Sequence, residues 1–148
     1  MRDGVTSSEA PLRRPEEVLP HRPPFLFLDT VVQLDPGVSA VALWTPPRDA
    51  FFFRGHFPGR PTLPGVIMLE SLAQLGAYTV LADERWSGRL PLFGGVERAR
   101  FRRQVGPGET LELRSEVLHV GRLGGRGSGQ ILRSGEKVCE ATVMFVWA

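Results

Sequence analysis

His56 and Glu70 are the two residues whose type and setting best suit chemistry. His56 lies in Phe52-Phe53-Arg54-Gly55-His56-Phe57-Pro58-Gly59, a loop-forming stretch bracketed by phenylalanine, glycine and proline. Histidine ordinarily titrates nearest neutrality, so it can accept a proton at cellular pH. Taken alone, a histidine among aromatics is as readily a packed side chain bonded to backbone. Glu70 stands between Met68-Leu69 and Leu72-Ala73, well inside an apolar run. A carboxylate in such a run is costly unless it is paired or protonated. A protonated carboxyl can hand its proton to a leaving group. The plain alternative is an acid on a helix edge left open to solvent. Together a neutral base and a buried acid have separated protonation preferences, the pairing that acid–base chemistry uses.

A third component precedes Glu70. Pro64-Gly65-Val66 reads as the start of a helix, where the first backbone N–H groups lack internal partners and the positive end of the dipole lies. Gly65 has no side chain to hinder a carbonyl approaching its N–H, so the position suits a developing oxyanion. Proline-glycine before a helix also occurs for purely local reasons.

The elements that must position these residues can be read from the pattern. Residues 15–19 suit a short helix, with Pro15 first and Glu16 and Glu17 in its first turn. Residues 25–33 (FLFLDTVVQ) read as a strand, Asp35-Pro36-Gly37 as a turn and residues 38–45 as a second strand, stopped by Pro46 and Pro47. A loop rich in Phe, Gly and Pro runs to Leu63, and a long helix extends from Pro64 to Asp83 or Glu84. The remainder reads as β: residues 92–101, 110–120, 130–132 and 137–147, the last with Cys139, Ala141, Val143, Phe145 and Trp147 on one face. Residues 121–129 (GRLGGRGSG) lack G-x-G-x-x-G spacing and precede no helix, so they read as a hairpin loop and not a phosphate cradle. One helix that is apolar nearly all round has to be enclosed, which predicts an α+β domain with a curved antiparallel sheet wrapped around it. Residues 1–14 read as a loose tail and 15–148 as a single domain.

Composition narrows the function classes. The 148 residues carry a formal charge of only +2, from 18 Lys+Arg against 16 Asp+Glu, which gives no reason to expect nucleic acid. Lys137 is the sole lysine, so the positive charge is almost all arginine, the side chain suited to carboxylates and phosphates. A single cysteine forbids an internal disulfide and a thiolate cluster, and on its apolar strand face Cys139 reads as packing. His21 and His119 have no partners at ligand spacing. No metal and no cofactor are therefore expected, although His21 could still shape the mouth of a site. The polar N-terminus has no apolar signal core, and the apolar run after Pro61 is opened by Pro64 and Gly65 and interrupted by Glu70, Ser71 and Gln74. A cytoplasmic protein without a membrane span is the expectation.

Three stretches, Leu19-Pro20-His21-Arg22-Pro23-Pro24-Phe25, residues 52–74 (FFRGHFPGRPTLPGVIMLESLAQ) and residues 93–111 (FGGVERARFRRQVGPGETL), resemble the FabZ-type 3-hydroxyacyl-[acyl-carrier-protein] dehydratases of fatty acid synthesis. The likeness runs over about residues 16–147 and includes the spacing from His56 to Glu70. It implies a hotdog fold and a homodimer, often a trimer of dimers, with the catalytic His and Glu of one tunnel coming from opposite subunits. By matched position His56 is the base, Glu70 the acid, Gly65 with Val66 the oxyanion and substrate site, and Gln74 the residue that orients the carboxylate. Pro23 replaces a common Tyr and Ser71 a common Ala, which bears on tunnel shape. Related isomerising enzymes usually carry Asp, so Glu70 argues against isomerase activity. The resemblance implies acyl-carrier protein as partner. Arg98, Arg100, Arg102 and Arg103 read either as a solvated strand edge or as a docking patch for that acidic carrier and its phosphopantetheine phosphate. Other readings are a thioesterase, a polyketide-pathway dehydratase, or a non-catalytic module that binds acyl thioesters.

Overall fold

A computed structural model of the chain describes residues 12–148. Most of the tail expected over residues 1–14 thus lies outside the described residues. Its last part is tied down: the Tyr78 hydroxyl donates to the Arg13 carbonyl at 2.6 Å, and the Arg14 N–H to the Glu17 carboxylate at 2.8 Å.

The elements follow in the order α1 (Pro15–Val18), β1 (Thr30–Asp35), β2 (Ser39–Trp44), a 3-10 turn (Phe51–Phe53), α2 (Gly65–Leu81), β3 (Pro91–Phe101), β4 (Leu111–Val120), β5 (Gly124–Arg133) and β6 (Glu136–Trp147). All six strands pair antiparallel in one sheet, ordered β1-β2-β4-β5-β6-β3. The sheet wraps α2, which packs chiefly on β4 and also touches β2, β3, β5 and β6. This is the expected α+β architecture. Helix α2 starts where Pro64, with extended backbone angles, cannot continue a helix backwards. It ends at Leu81, short of Asp83, because the Asp83 carboxylate accepts the N–H of Arg85 at 3.0 Å and turns the chain.

Strand alternation gives the sheet one face toward α2, and that face is built from small residues beneath the helix: Ala40 and Ala42 on β2, Ser115 on β4, Gly129 on β5, Ala141 on β6. Larger side chains, Trp44, Leu111, Leu113, Ile131 and Val138, fill the flanks. Two hydroxyls buried on α2 are satisfied within the helix: Ser71 donates to the Met68 carbonyl and Thr79 to the Leu75 carbonyl, each at 2.7 Å.

Two expectations are corrected. Residues 25–29 are not strand; β1 begins at Thr30. The FLFL alternation instead seats Phe27 against Trp44 and Phe52, while a helix side chain, Gln74, takes up the backbone groups of Phe25 and Phe27 that a neighbouring strand would otherwise use. The glycine-rich stretch 121–129 is not all hairpin loop, since β5 runs from Gly124. A Cβ on Gly125 would meet the His119 carbonyl and the Phe145 ring, and one on Gly129 would lie 2.9 Å from Leu72 Cδ2 and 3.2 Å from the Arg114 carbonyl. Glycine is there because the helix and the adjacent strand come that close, and it leaves no apolar pattern to read.

β3 is an edge strand of 11 residues, nearly all exposed, and its Leu92, Phe93, Val96 and Phe101 are each 42–49% exposed.

Gly129→Ala is expected to lower stability by about 1–3 kcal/mol in denaturant unfolding, because Leu72 and the Arg114 carbonyl would have to give way.

Candidate active site

The loop carrying His56 is fixed at both ends. Phe52 and Phe53 stack in tilted aromatic contacts that anchor the 3-10 turn, and the Leu63 N–H donates to the Val105 carbonyl at 2.8 Å. Between them a tight turn closes with the Arg60 N–H on the Phe57 carbonyl at 2.9 Å, with Gly59 at φ +75° where a side chain would be strained. The imidazole of His56 stacks on Phe57, and its Nδ1 lies 2.8 Å from the Thr62 carbonyl. A carbonyl only accepts, so in the neutral ring Nδ1 carries the hydrogen and Nε2 presents the lone pair. That is the form a general base requires.

At the start of α2 the N–H groups of Gly65 and Val66 have no hydrogen-bond partner among the described residues, as expected of a helix's first turn. Val66 is 71% exposed. Gly65 is glycine for a reason the sequence did not reveal: a Cβ there would sit 3.0 Å from the Phe101 ring.

Glu70 follows within two turns. Gln74, 1% exposed, donates from Nε2 to Glu70 Oε1 at 3.1 Å and to the Phe25 carbonyl at 3.2 Å, while its Oε1 accepts the Phe27 N–H at 2.8 Å. The backbone of residues 25–27 therefore fixes the amide, and the amide fixes the carboxyl. His21 closes the other side, its Nε2 3.6 Å from Glu70 Oε1. Burial pulls the His21 imidazole below its ordinary titration, against the opposing pull of Glu70 and with a smaller push from Arg22. Glu70 and His21 stand at one end of a narrow cavity of ≈ 50 Å³, walled by Ala73, Gly76, Ala77 and Val80 of α2 and by Phe93, Val143 and Phe145 of the sheet. Sequence reasoning gave His21 no contact with the acid. Its only signal was a place in a quoted motif, because the 49 positions separating it from Glu70 carry no periodicity.

One chain does not bring every candidate together. Glu70, Gln74 and His21 converge, but His56 neither lines their cavity nor bonds to Glu70. The arginines lie apart. Arg102 bonds Glu140 at 2.7 Å and Arg103 bonds Glu136 at 2.9 Å. Lys137 first, then Arg102, hold the Glu140 carboxyl down at about 2. Arg98 and Arg100 make no ion pair among the described residues. Arg98 borders a broader groove of ≈ 640 Å³ with Arg114, Glu116 and Glu140, on the sheet face away from α2. That groove is larger than the cavity at Glu70 but contains none of the acid–base residues. Burial pushes the Cys139 thiol up to about 12, so it packs and does not react. Among the described residues no group of His, Cys, Asp and Glu is arranged to hold a metal, and no helix is long and apolar enough to cross a membrane.

Residues 19–142 match the family model described as a FabA-like domain. The chain is 45% identical over 131 residues to the 3-hydroxyacyl-[acyl-carrier-protein] dehydratase FabZ of Enterococcus faecalis, covering 88% of this chain and 93% of that protein. It is 42% identical over 130 residues to the protein of the same name from Clostridium novyi, covering 88% and 92%. Among solved structures, the dehydratase heterocomplex ApeI:P from Xenorhabdus doucetiae superimposes with a TM-score of 0.80 at 19% identity, over 93% of this chain and 92% of that one. A hypothetical thioesterase from Streptococcus pneumoniae, solved with coenzyme A, gives a TM-score of 0.62 at 13% identity, covering 80% and 84%. At those identities the structural likeness concerns the fold.

Because folding holds the His21 imidazole below its unfolded value of 6.5, the unfolded chain binds that proton more readily. Neutral His21 contributes fully above pH 6.5, and its contribution is lost as pH falls from there through the folded value. Urea unfolding of wild type and His21→Leu between pH 5 and 8 should show a shallower loss toward acid in the variant.

Proposed function

The chain belongs to the FabA-like family, and on that premise we propose that it is a 3-hydroxyacyl-[acyl-carrier-protein] dehydratase of the FabZ type, serving fatty acid biosynthesis. The observation that carries the site reading is the carboxyl of Glu70, gripped by one oxygen through Gln74 at the head of an apolar cavity. An acid there faces the carbon chain of a substrate, with one oxygen free to act on it.

The reaction is an elimination. The thioester carbonyl accepts hydrogen bonds from the Gly65 and Val66 N–H groups, which stabilise negative charge on its oxygen as the C2 proton departs. His56 Nε2 takes that proton. The electron pair left on C2 forms the C2=C3 double bond, the C3–O bond breaks, and Glu70 protonates the departing hydroxyl, so water leaves and a trans-2-enoyl thioester remains. His56 then holds one proton more and Glu70 one fewer, and exchange with solvent resets both. The residues of this route need no metal or redox cofactor.

Completion of the site needs a second copy. β3 offers unpaired backbone groups and an apolar row that solvent disfavours, while His56 stands away from Glu70 of its own chain. A homodimer closed over this edge, with His56 of one protomer serving the Glu70 cavity of its partner, satisfies both. Trimers of such dimers, and a cytoplasmic setting, extend the same reading. The carrier protein docks through arginine, and Arg98 and Arg100 are the members of the cluster without an ion pair among the described residues.

His56→Ala is expected to fold and to lose ~10²–10⁴-fold in turnover, mainly in kcat, and Glu70→Gln to lose turnover with substrate binding retained. The assay follows enoyl absorbance from 3-hydroxyacyl-carrier thioesters; release of free thiol without it would identify a thioesterase. Mixing the two inactive variants under subunit exchange should restore about a quarter of wild-type activity, since half the dimers then hold one intact site of two. No recovery despite proven exchange would place both residues in one subunit.

Charge reversal at Arg98 and Arg100 should raise KM for the carrier-bound substrate and leave turnover of a pantetheine thioester intact. Equal loss on both substrates would remove these residues from docking.

A further inference from the structure

His21 lies within the cavity that Glu70 heads, yet no step of the elimination uses it. Its Nδ1 is buried with no hydrogen-bond partner among the described residues. A buried polar atom left unpaired costs about 1–3 kcal/mol, so the imidazole is a poor choice for stability at this position.

The geometry at Glu70 gives it a use. The Phe27 N–H occupies Gln74 Oε1, so it is Gln74 Nε2, an N–H donor, that faces Glu70 Oε1. Glu70 Oε1 is therefore an acceptor, so that the proton Glu70 delivers in the proposed elimination belongs on Oε2. His21 Nε2 approaches the same Oε1 at 3.6 Å. A lone pair on that nitrogen would repel the oxygen; an N–H would attract it. The attractive tautomer places the hydrogen on Nε2 and the lone pair on Nδ1, so the unpartnered atom is an acceptor and no N–H is orphaned. Burial, which holds the ring neutral, agrees with this state. The backbone on which His21 sits is braced, with Arg22 donating to the Leu19 and His21 carbonyls at 2.8 and 2.7 Å.

We infer that His21 is a positioning residue for Glu70: its neutral Nε2–H, beside Gln74, reserves Oε1 as acceptor and leaves Oε2 as the oxygen that delivers the proton to the departing hydroxyl. The contact, at 3.6 Å electrostatic and longer than a hydrogen bond, strengthens as Glu70 becomes anionic, because an N–H dipole aimed at an oxygen gains energy as that oxygen takes up charge. Its effect therefore falls on the transition state and not on substrate binding. This inference rests on the dehydration reading above.

The test compares wild type, His21→Leu and His21→Gln on a 3-hydroxyacyl thioester of acyl-carrier protein, with thermal unfolding of each at pH 8. Leucine fills the space without a donor; the Gln side chain returns an N–H near the position of Nε2. The expected result is a fall in kcat of about threefold to tenfold for His21→Leu, the scale of a lost electrostatic contact beside a carboxylate, with KM unchanged, Tm unchanged or raised, and most of kcat regained in His21→Gln. Wild-type kcat in His21→Leu would overturn the inference. So would a rise in KM alone, or a joint loss of Tm and kcat that Gln does not mend. Nitrogen-15 chemical shifts of the His21 ring provide a readout independent of turnover, in which an Nδ1–H tautomer would also overturn it. If wild type itself forms no enoyl product, the dehydration reading falls, and the ring shifts still decide the tautomer.

Discussion

Helix α2 is buried along most of its length, so any polar side chain on it must find its partners inside the protein. Gln74 is where that requirement meets the site. Its amide reaches across to the backbone of residues 25–27 with both ends, and the hydrogen left on Nε2 falls on Glu70. The segment leading into β1, the middle of α2 and the acid are thereby bound into one network in which each orientation determines the next. Loss of Gln74 would leave the N–H of buried Phe27 without an acceptor. The small residues of the facing sheet matter for the same reason, since they let the helix sit deep enough for the network to close.

What could be read from the sequence was what leaves a periodic or compositional trace. The length and apolarity of α2, its start at Pro64-Gly65, and the alternation along β6 all have such traces, and the sheet-around-helix arrangement follows from them. The strand at 25–29 misled because FLFL alternates for the sake of aromatic packing, while its backbone bonds go to a side chain more than forty residues away. Most of β5 was hidden because glycines at 125, 127 and 129 carry no apolarity, although their absence of side chains is itself the signature of close neighbours.

The candidate site divides along the same line. Glu70 with Gln74 was legible because four positions on a helix is a fixed geometry. The approach of His21 was not, because contacts between distant segments are decided by the fold. The spacing of His56 and Glu70 matched a pattern, yet within one chain they share neither a bond nor a cavity, and no reading of separation along a sequence distinguishes a contact within a chain from one between copies. The arginine row shows a related limit. Its members look alike in sequence, but Arg102 and Arg103 are engaged by carboxylates of their own chain, whereas Arg98 and Arg100 have no such partner among the described residues.

The wall of the cavity beyond Glu70 has a bearing on how such a protein can diversify. Ala73, Gly76, Ala77 and Val80 succeed one another along a single stripe of α2, each rung rising about 1.5 Å per residue. A methyl group added at Gly76 would project toward the Ser115 hydroxyl without a clash, at 3.7 Å, and would narrow the cavity less than two turns along the helix from the acid. On the proposed reading, side-chain volume along this stripe sets how far an acyl chain can run past the acid. Substitutions along it would then shift that limit, while Gln74, on a different bearing of the helix, leaves the grip on Glu70 unchanged.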